Sequence, residues 1–66
     1  MTVTINGQPR DLPAPLTVAA LLKALEIPQR GTAVEVNLQV VPRAQHDKHL
    51  LAEGDQLEIV SLVGGG

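Results

Sequence analysis

A chain of 66 residues with no cysteine and no aromatic residue has only aliphatic packing to hold it together. A domain this short buries only about 60% of the surface its unfolded chain exposes. Many such domains therefore lean on disulfides or a structural metal. Here both disulfides and thiolate metal sites are excluded. The core has to come from Val, Leu, Ile and Ala, and a hydrophobic content of 44% supplies it. The length allows one domain. The missing thiol also limits chemistry, because any covalent cargo must ride on some group other than a cysteine.

The charge pattern excludes another class. Net charge is −2, and the five basic residues (Arg10, Lys23, Arg30, Arg43, Lys48) are scattered. They form no phosphate-tracking stripe, and no aromatic is present for base stacking, so nucleic acid is not an expected partner. No segment has the pattern of a signal peptide. The longest apolar run falls far short of the ~18 residues of a membrane span. The expected location is the cytoplasm, with no membrane association.

Thr2-Val3-Thr4-Ile5 alternates polar and apolar, the period of a half-buried strand. Asn6-Gly7 follows, a strong hairpin signal, because a type I′ turn needs positive φ at both central residues. Gln8 to Leu12 returns as a second strand. Pro9 has no N–H for a ladder and puts this strand at an edge. Pro13 and Pro15 stiffen the next connection. Thr17 is a good N-cap. Val18, Leu21, Leu22 and Leu25 then fall at i, i+3, i+4 and i+7, one face of an amphipathic helix predicted over Thr17 to Leu25, with Pro28 marking the stop.

Thr32 to Asn37 reads as a third strand and Val40-Val41 as a short fourth, ended by Pro42. The segment from Ala44 to Leu51 suits a loop or short helical turn that tucks Leu50 or Leu51 under the sheet. Glu53-Gly54-Asp55 is a turn. Gln56 to Val60 is the clearest strand, with Leu57 and Ile59 on one face and Glu58 and Val60 on the other. One helix on a small mixed sheet of four to five strands gives an α+β layer architecture.

Candidate chemistry on side chains is sparse. No Ser-His-Asp spacing and no phosphate-cradling G-x-x-x-x-G-K-[ST] loop occurs. The seven carboxylates form no acid–base pair by spacing. His46 and His49, at i and i+3, are a weak metal signal; they read as two titrating histidines in a solvated loop, and no metal is expected. What remains is the end of the chain, Gly64-Gly65-Gly66. A frayed terminus is the plain reading. Against it, glycine has no Cβ and can enter a channel too narrow for any other residue. The tail also follows directly from the best strand.

The whole chain resembles the ThiS family, small ubiquitin-like β-grasp sulfur carriers. The residues that carry the resemblance are Val3-Thr4-Ile5-Asn6-Gly7, Ala33-Val34-Glu35-Val36-Asn37, Val40-Val41-Pro42-Arg43, and Gly54-Asp55-Gln56-Leu57-Glu58-Ile59-Val60 leading to Val63-Gly64-Gly65-Gly66. The resemblance implies a β-grasp domain over residues 1–63 and a flexible glycine tail over 64–66. It implies a covalent carrier rather than an enzyme. The Gly66 carboxylate would be adenylated by an E1-like, ThiF-type enzyme using Mg-ATP. Sulfur from a persulfide donor would then displace AMP and leave a thiocarboxylate for a ThiG-type thiazole synthase. The carrier itself would bind no cofactor. Gly64 and Gly65 would serve as a slender stem. Val60, Leu62 and Val63 would serve in docking, an apolar patch being the usual mark of a partner surface; if instead the Ala44 to Leu51 loop covers Val60 and Leu62, they are core.

Two departures stand out. Many relatives have Asn-Gly between the third and fourth strands, where this chain has Asn37-Leu38. Leucine resists positive φ, which predicts a longer turn or another type. An aromatic residue common after Arg43 is replaced by Ala44. Two other functions share parts of this pattern: a sulfur carrier for molybdopterin synthesis or tRNA thiolation, and a noncovalent ubiquitin-like binding module with an inert tail. Ser61-Leu62-Val63 before the tail, without proline, favours the thiamine carrier.

Overall fold

The computed structural model describes residues 1–13 and 15–62. Five strands form one mixed sheet: β1 (Thr2–Ile5), β2 (Gln8–Asp11), β3 (Thr32–Val36), β4 (Gln39–Val40) and β5 (Gln56–Ser61). Their order is β2-β1-β5-β3-β4. β1 and β5 run parallel at the centre, and every other pairing is antiparallel. One helix, α1 (Val18–Ala24), covers one face.

Each element has a local cause. Asn6 and Gly7 both take positive φ, +50° and +83°, and close the β1–β2 hairpin. Pro9 lies on β2, an edge strand, opposite Thr4. Thr17 caps α1, its hydroxyl accepting the Ala20 N–H at 3.1 Å. Val18, Leu21 and Leu22 are fully buried against the inward residues of the sheet: Val3, Ile5, Val34, Val36, Leu57 and Ile59. Burying each such side chain is worth about 1.5–3 kcal/mol.

The helix stops before Pro28. Glu26 adopts φ +60°, with its N–H bonded to the Lys23 carbonyl and the Ile27 N–H to the Leu22 carbonyl. That double bond pattern is a Schellman motif, which usually takes glycine at this position.

The turn between β3 and β4 corrects the expectation of a longer or different one. Val36 pairs with Gln39, leaving two central residues, and Asn37 and Leu38 take φ +53° and +69°. Both values are those of a type I′ turn. Asn37 explains how leucine is forced there. Its side-chain amide donates to the Asp55 carboxylate at 3.0 Å and accepts the Gln56 N–H at 3.0 Å. Its backbone N–H bonds to the Gln56 carbonyl at 2.7 Å. These three bonds fix the turn, and Leu38, 89% exposed, follows.

The fourth strand also sits one residue earlier than expected. Val41 leaves the strand, gives its N–H to Val34 and enters the core. The segment after it begins with a short 3-10 turn, Arg43–Gln45, and returns across the start of α1. The His49 and His46 carbonyls accept the Val18 and Ala19 N–H groups at 2.9 and 2.8 Å. With Thr17, they satisfy the donors that a helix start leaves unpaired. Leu51 is buried and Leu50 is exposed.

Candidate functional site

β5 leads to the chain's end, and the sheet grips it from both sides. β3 pairs with it over its full length, from Val36 opposite Leu57 to Thr32 opposite Ser61. The Leu62 N–H adds a further bond to the Gly31 carbonyl at 2.7 Å. On its other edge, β1 pairs only as far as Ile5 opposite Leu57. Beyond that point the Asn6 side chain takes over, accepting the Ile59 N–H at 2.8 Å and donating to the Ile59 carbonyl at 3.1 Å. Sequence reasoning assigned Asn6 only to the turn. The missed signal is that its amide carries the donor and acceptor of a peptide group.

The candidate residues divide into two groups. Val63, Gly64, Gly65 and Gly66 lie outside the described residues. Val60 and Leu62 are inside them and exposed, at 52% and 69%. The Ala44 to Leu51 segment does not cover them, because it packs at the start of α1 through the His46, His49 and Leu51 backbone bonds. Cross-strand pairing puts Ala33 beside Val60, Glu35 beside Glu58 and Val40 beside Glu35. The face opposite α1 therefore carries Val40, Val60 and, by alternation, Leu62, around two adjacent carboxylates. Like charges directly opposite in a sheet repel.

The histidines differ from expectation. His46 is not solvated: it is 1% exposed, with Nε2 3.0 Å from the Val41 carbonyl oxygen and Nδ1 3.2 Å from Gln29 Oε1. Both nitrogens are occupied by packing contacts that tie the 3-10 turn to the body. His49 is only half-buried. Among the described residues, no three His, Asp or Glu side chains gather in a way that could hold a metal ion.

Clefts on the body are shallow. One of about 270 Å³ is lined by Val36, Gln39, Val40, Gln45, Lys48 and His49. Another of about 350 Å³ lies among Ile5, Asn6, Gln8, Arg10, Leu25 and Ile59. Neither holds a carboxylate pair or a nucleophile beside a base, the arrangements that acid–base or covalent side-chain catalysis requires. Among the described residues, no helix is long and apolar enough to cross a membrane.

Comparison with known proteins agrees with this geometry. Residues 3–66 match the model of the ThiS family. The chain is 36% identical to the sulfur carrier protein ThiS of Escherichia coli, over the full length of both. It is 44% identical over 66 residues to a thiazole synthase of Paramagnetospirillum magneticum, of which it spans only 20%. Among solved structures, it is similar to the crystal structure of the thiamine biosynthesis protein ThiS from Geobacter metallireducens, with a TM-score of 0.86, 35% identity and complete coverage of both chains.

Proposed function

The chain belongs to the ThiS family, the sulfur carrier proteins of thiamine biosynthesis, and from that premise we propose how its carboxyl end works. The reacting group is the Gly66 carboxylate. A terminal carboxylate, with an ordinary pKa of about 3.5, is ionised at neutral pH and is a poor electrophile. An E1-like activating enzyme removes that obstacle. The carboxylate oxygen attacks the α-phosphorus of Mg-ATP, pyrophosphate leaves, and a glycyl adenylate forms. The terminal sulfur of a persulfide donor then attacks the glycyl carbonyl and AMP departs. A thiol cleaves the resulting acyl disulfide and leaves –COS⁻. That nucleophile carries the sulfur to a thiazole synthase.

The observation that carries this reading is the contrast between body and end. Among the described residues the clefts gather no carboxylate pair and no nucleophile beside a base, while β5, gripped on both edges, ends at Ser61, a few residues before the terminal glycines in the sequence. The thiazole synthase relative supports the acceptor, because a stretch like this chain forms a fifth of it. The exposed apolar residues Val60 and Leu62, with Val63 beyond them, form the docking surface for the partners. Glu35 and Glu58 on the same face favour a partner surface bearing arginine or lysine. The carrier is a co-substrate of these enzymes and holds no cofactor itself; ATP and Mg²⁺ belong to the activating partner.

One alanine added after Gly66 tests the assignment. ATP–pyrophosphate exchange by the activating enzyme is expected to fall at least ~100-fold, because the carboxylate is displaced from the reacting position. Thermal stability should not change. Undiminished exchange would refute the terminal-carboxylate mechanism.

A further inference from the structure

We propose that the free edge of β4, at Val40, takes an extended peptide segment of a partner protein as a further strand, one that presents an apolar side chain and a carboxylate on its inward side. The site is separate from the face that carries Val60 and Leu62 and does not depend on the carrier reading.

Register decides which backbone groups of β4 are open. In an antiparallel ladder, pairs that exchange hydrogen bonds alternate with pairs that do not. The two-residue turn makes Val36 and Gln39 a bonded pair, and the Val41 N–H returns to the Val34 carbonyl at 2.9 Å. Val40, opposite Glu35, lies between them, so its N–H and carbonyl point away from β3. Neither group has a hydrogen-bond partner among the described residues. The other edge of the sheet is closed at the matching place. The Leu12 N–H bonds to the Met1 carbonyl, which sets Arg10 and Gln8 toward β1 and turns Pro9 outward, with no N–H to offer. On the β4 side Pro42 has no N–H either, and its carbonyl accepts from Gln45, so one rung is open, at Val40. Addition of a strand at such an edge draws affinity from backbone bonds and specificity from pockets for alternate side chains.

The pocket is present. The residue that pairs with Val40 shares its outer face, so the residues on either side of it point to the α1 side of the sheet. There a cleft of about 270 Å³ lies between β4 and the segment that follows it. Val36, Val41 and Pro42 make the cleft apolar, Lys48 and His49 also line it, and no carboxylate does. An apolar side chain fills it, and a carboxylate two residues away, on the same side of the added strand, meets the Lys48 ammonium. Complementary charge of this kind selects the partner. Glu35 and Glu58 lie on the opposite face, so the two faces of the sheet call for opposite charges.

A second copy of this chain fits the edge less well. Pairing across Val40 about a two-fold axis keeps both helical layers on the same side of the joined sheet. Both Lys48 side chains then stand on that side with no carboxylate in either cleft, and Pro42 ends the pairing after one rung.

The probe is the peptide acetyl-Thr-Glu-Thr-Val-Thr-Glu-Thr-amide, whose pattern reads alike in both strand directions, with a counterpart in which lysine replaces both glutamates. Each is titrated into the full-length protein labelled with nitrogen-15. With the glutamate probe, shifts are expected to gather at the Val40, Val41 and Lys48 amides, and exchange of the Val40 amide should slow. The lysine probe should bind at least about five-fold more weakly. Val40→Pro removes the outward donor and spares the β3–β4 ladder, and should raise the Kd of the glutamate probe about five-fold, the worth of one hydrogen bond. Lys48→Glu, at an exposed position, should reverse the preference between the probes, and it carries the test if dichroism shows that Val40→Pro does not fold. Equal affinity for the two probes, shifts that gather away from β4, or no shifts at all would overturn the proposal. A doubling of mass in sedimentation without peptide, lost in Val40→Pro, would overturn it in favour of a second copy.

Discussion

Replacing Leu38 with glycine should stabilise the protein, although it removes a large hydrophobic side chain. Leu38 takes φ +69° in a two-residue turn. A left-handed conformation costs a non-glycine residue roughly 1–2 kcal/mol. Glycine escapes that strain but loses roughly 0.5–1 kcal/mol more backbone entropy on folding. Little burial is forfeited, because Leu38 is 89% exposed. The balance is a gain of about 0–1.5 kcal/mol, with ~0.75 at the midpoint. In a domain of this size the midpoint raises Tm by about 3–6 °C. With no Trp, Tyr or Phe to report, intrinsic fluorescence is blind here, so far-UV circular dichroism during thermal and urea unfolding is the assay. The urea midpoint should rise with an unchanged m-value. Leu38→Ala keeps the strain and should stay within about 0.5 kcal/mol of wild type. A Tm that fell in Leu38→Gly would refute the reasoning, because the side chain would then be contributing more than the strain costs.

The same logic applies to Glu26, at φ +60° in the helix stop: Glu26→Gly should add about 0–1.5 kcal/mol in urea unfolding. Leu21→Ala, at a position with 0% exposure, should cost about 2–5 kcal/mol. A chain of this length has only about 3–10 kcal/mol in total, so dichroism should record a large unfolded fraction on mild warming. Val60→Lys and Leu62→Lys alter exposed positions of the proposed docking face. Both should leave Tm within about 2 °C of wild type. Steady-state kinetics with the activating enzyme should show KM for the carrier raised about ten-fold or more, the effect of burying an unpaired charge in an interface.

Much of this architecture was legible because local and global signals agree. Period-two alternation gave β1 and β5, the i, i+3, i+4, i+7 stripe gave α1, and Thr17, Asn6-Gly7 and Gly54 occupy the cap and turn positions their chemistry predicts. The misreadings share one cause: a distant contact overrode a local preference. Leucine resists positive φ, yet Asn37 pins the turn through Asp55 and Gln56, which lie far away in sequence. His46 sits in a polar stretch, and only the folded chain brings Gln29 and Val41 to its two nitrogens. At the candidate site, the exposure of Val60 and Leu62 depended on where the Ala44 to Leu51 segment packs, which no local pattern encodes.

Everything proposed for the chain's end turns on sulfur being carried by the Gly66 carboxylate. Intact-mass spectrometry of the protein, before and after incubation with the activating enzyme, Mg-ATP and a sulfur source, tests it most directly. The prediction is an ATP-dependent gain of about 16 Da, one oxygen replaced by sulfur, with fragment ions confining it to Gly66. An unchanged mass, or a gain located in the body of the chain, would contradict it.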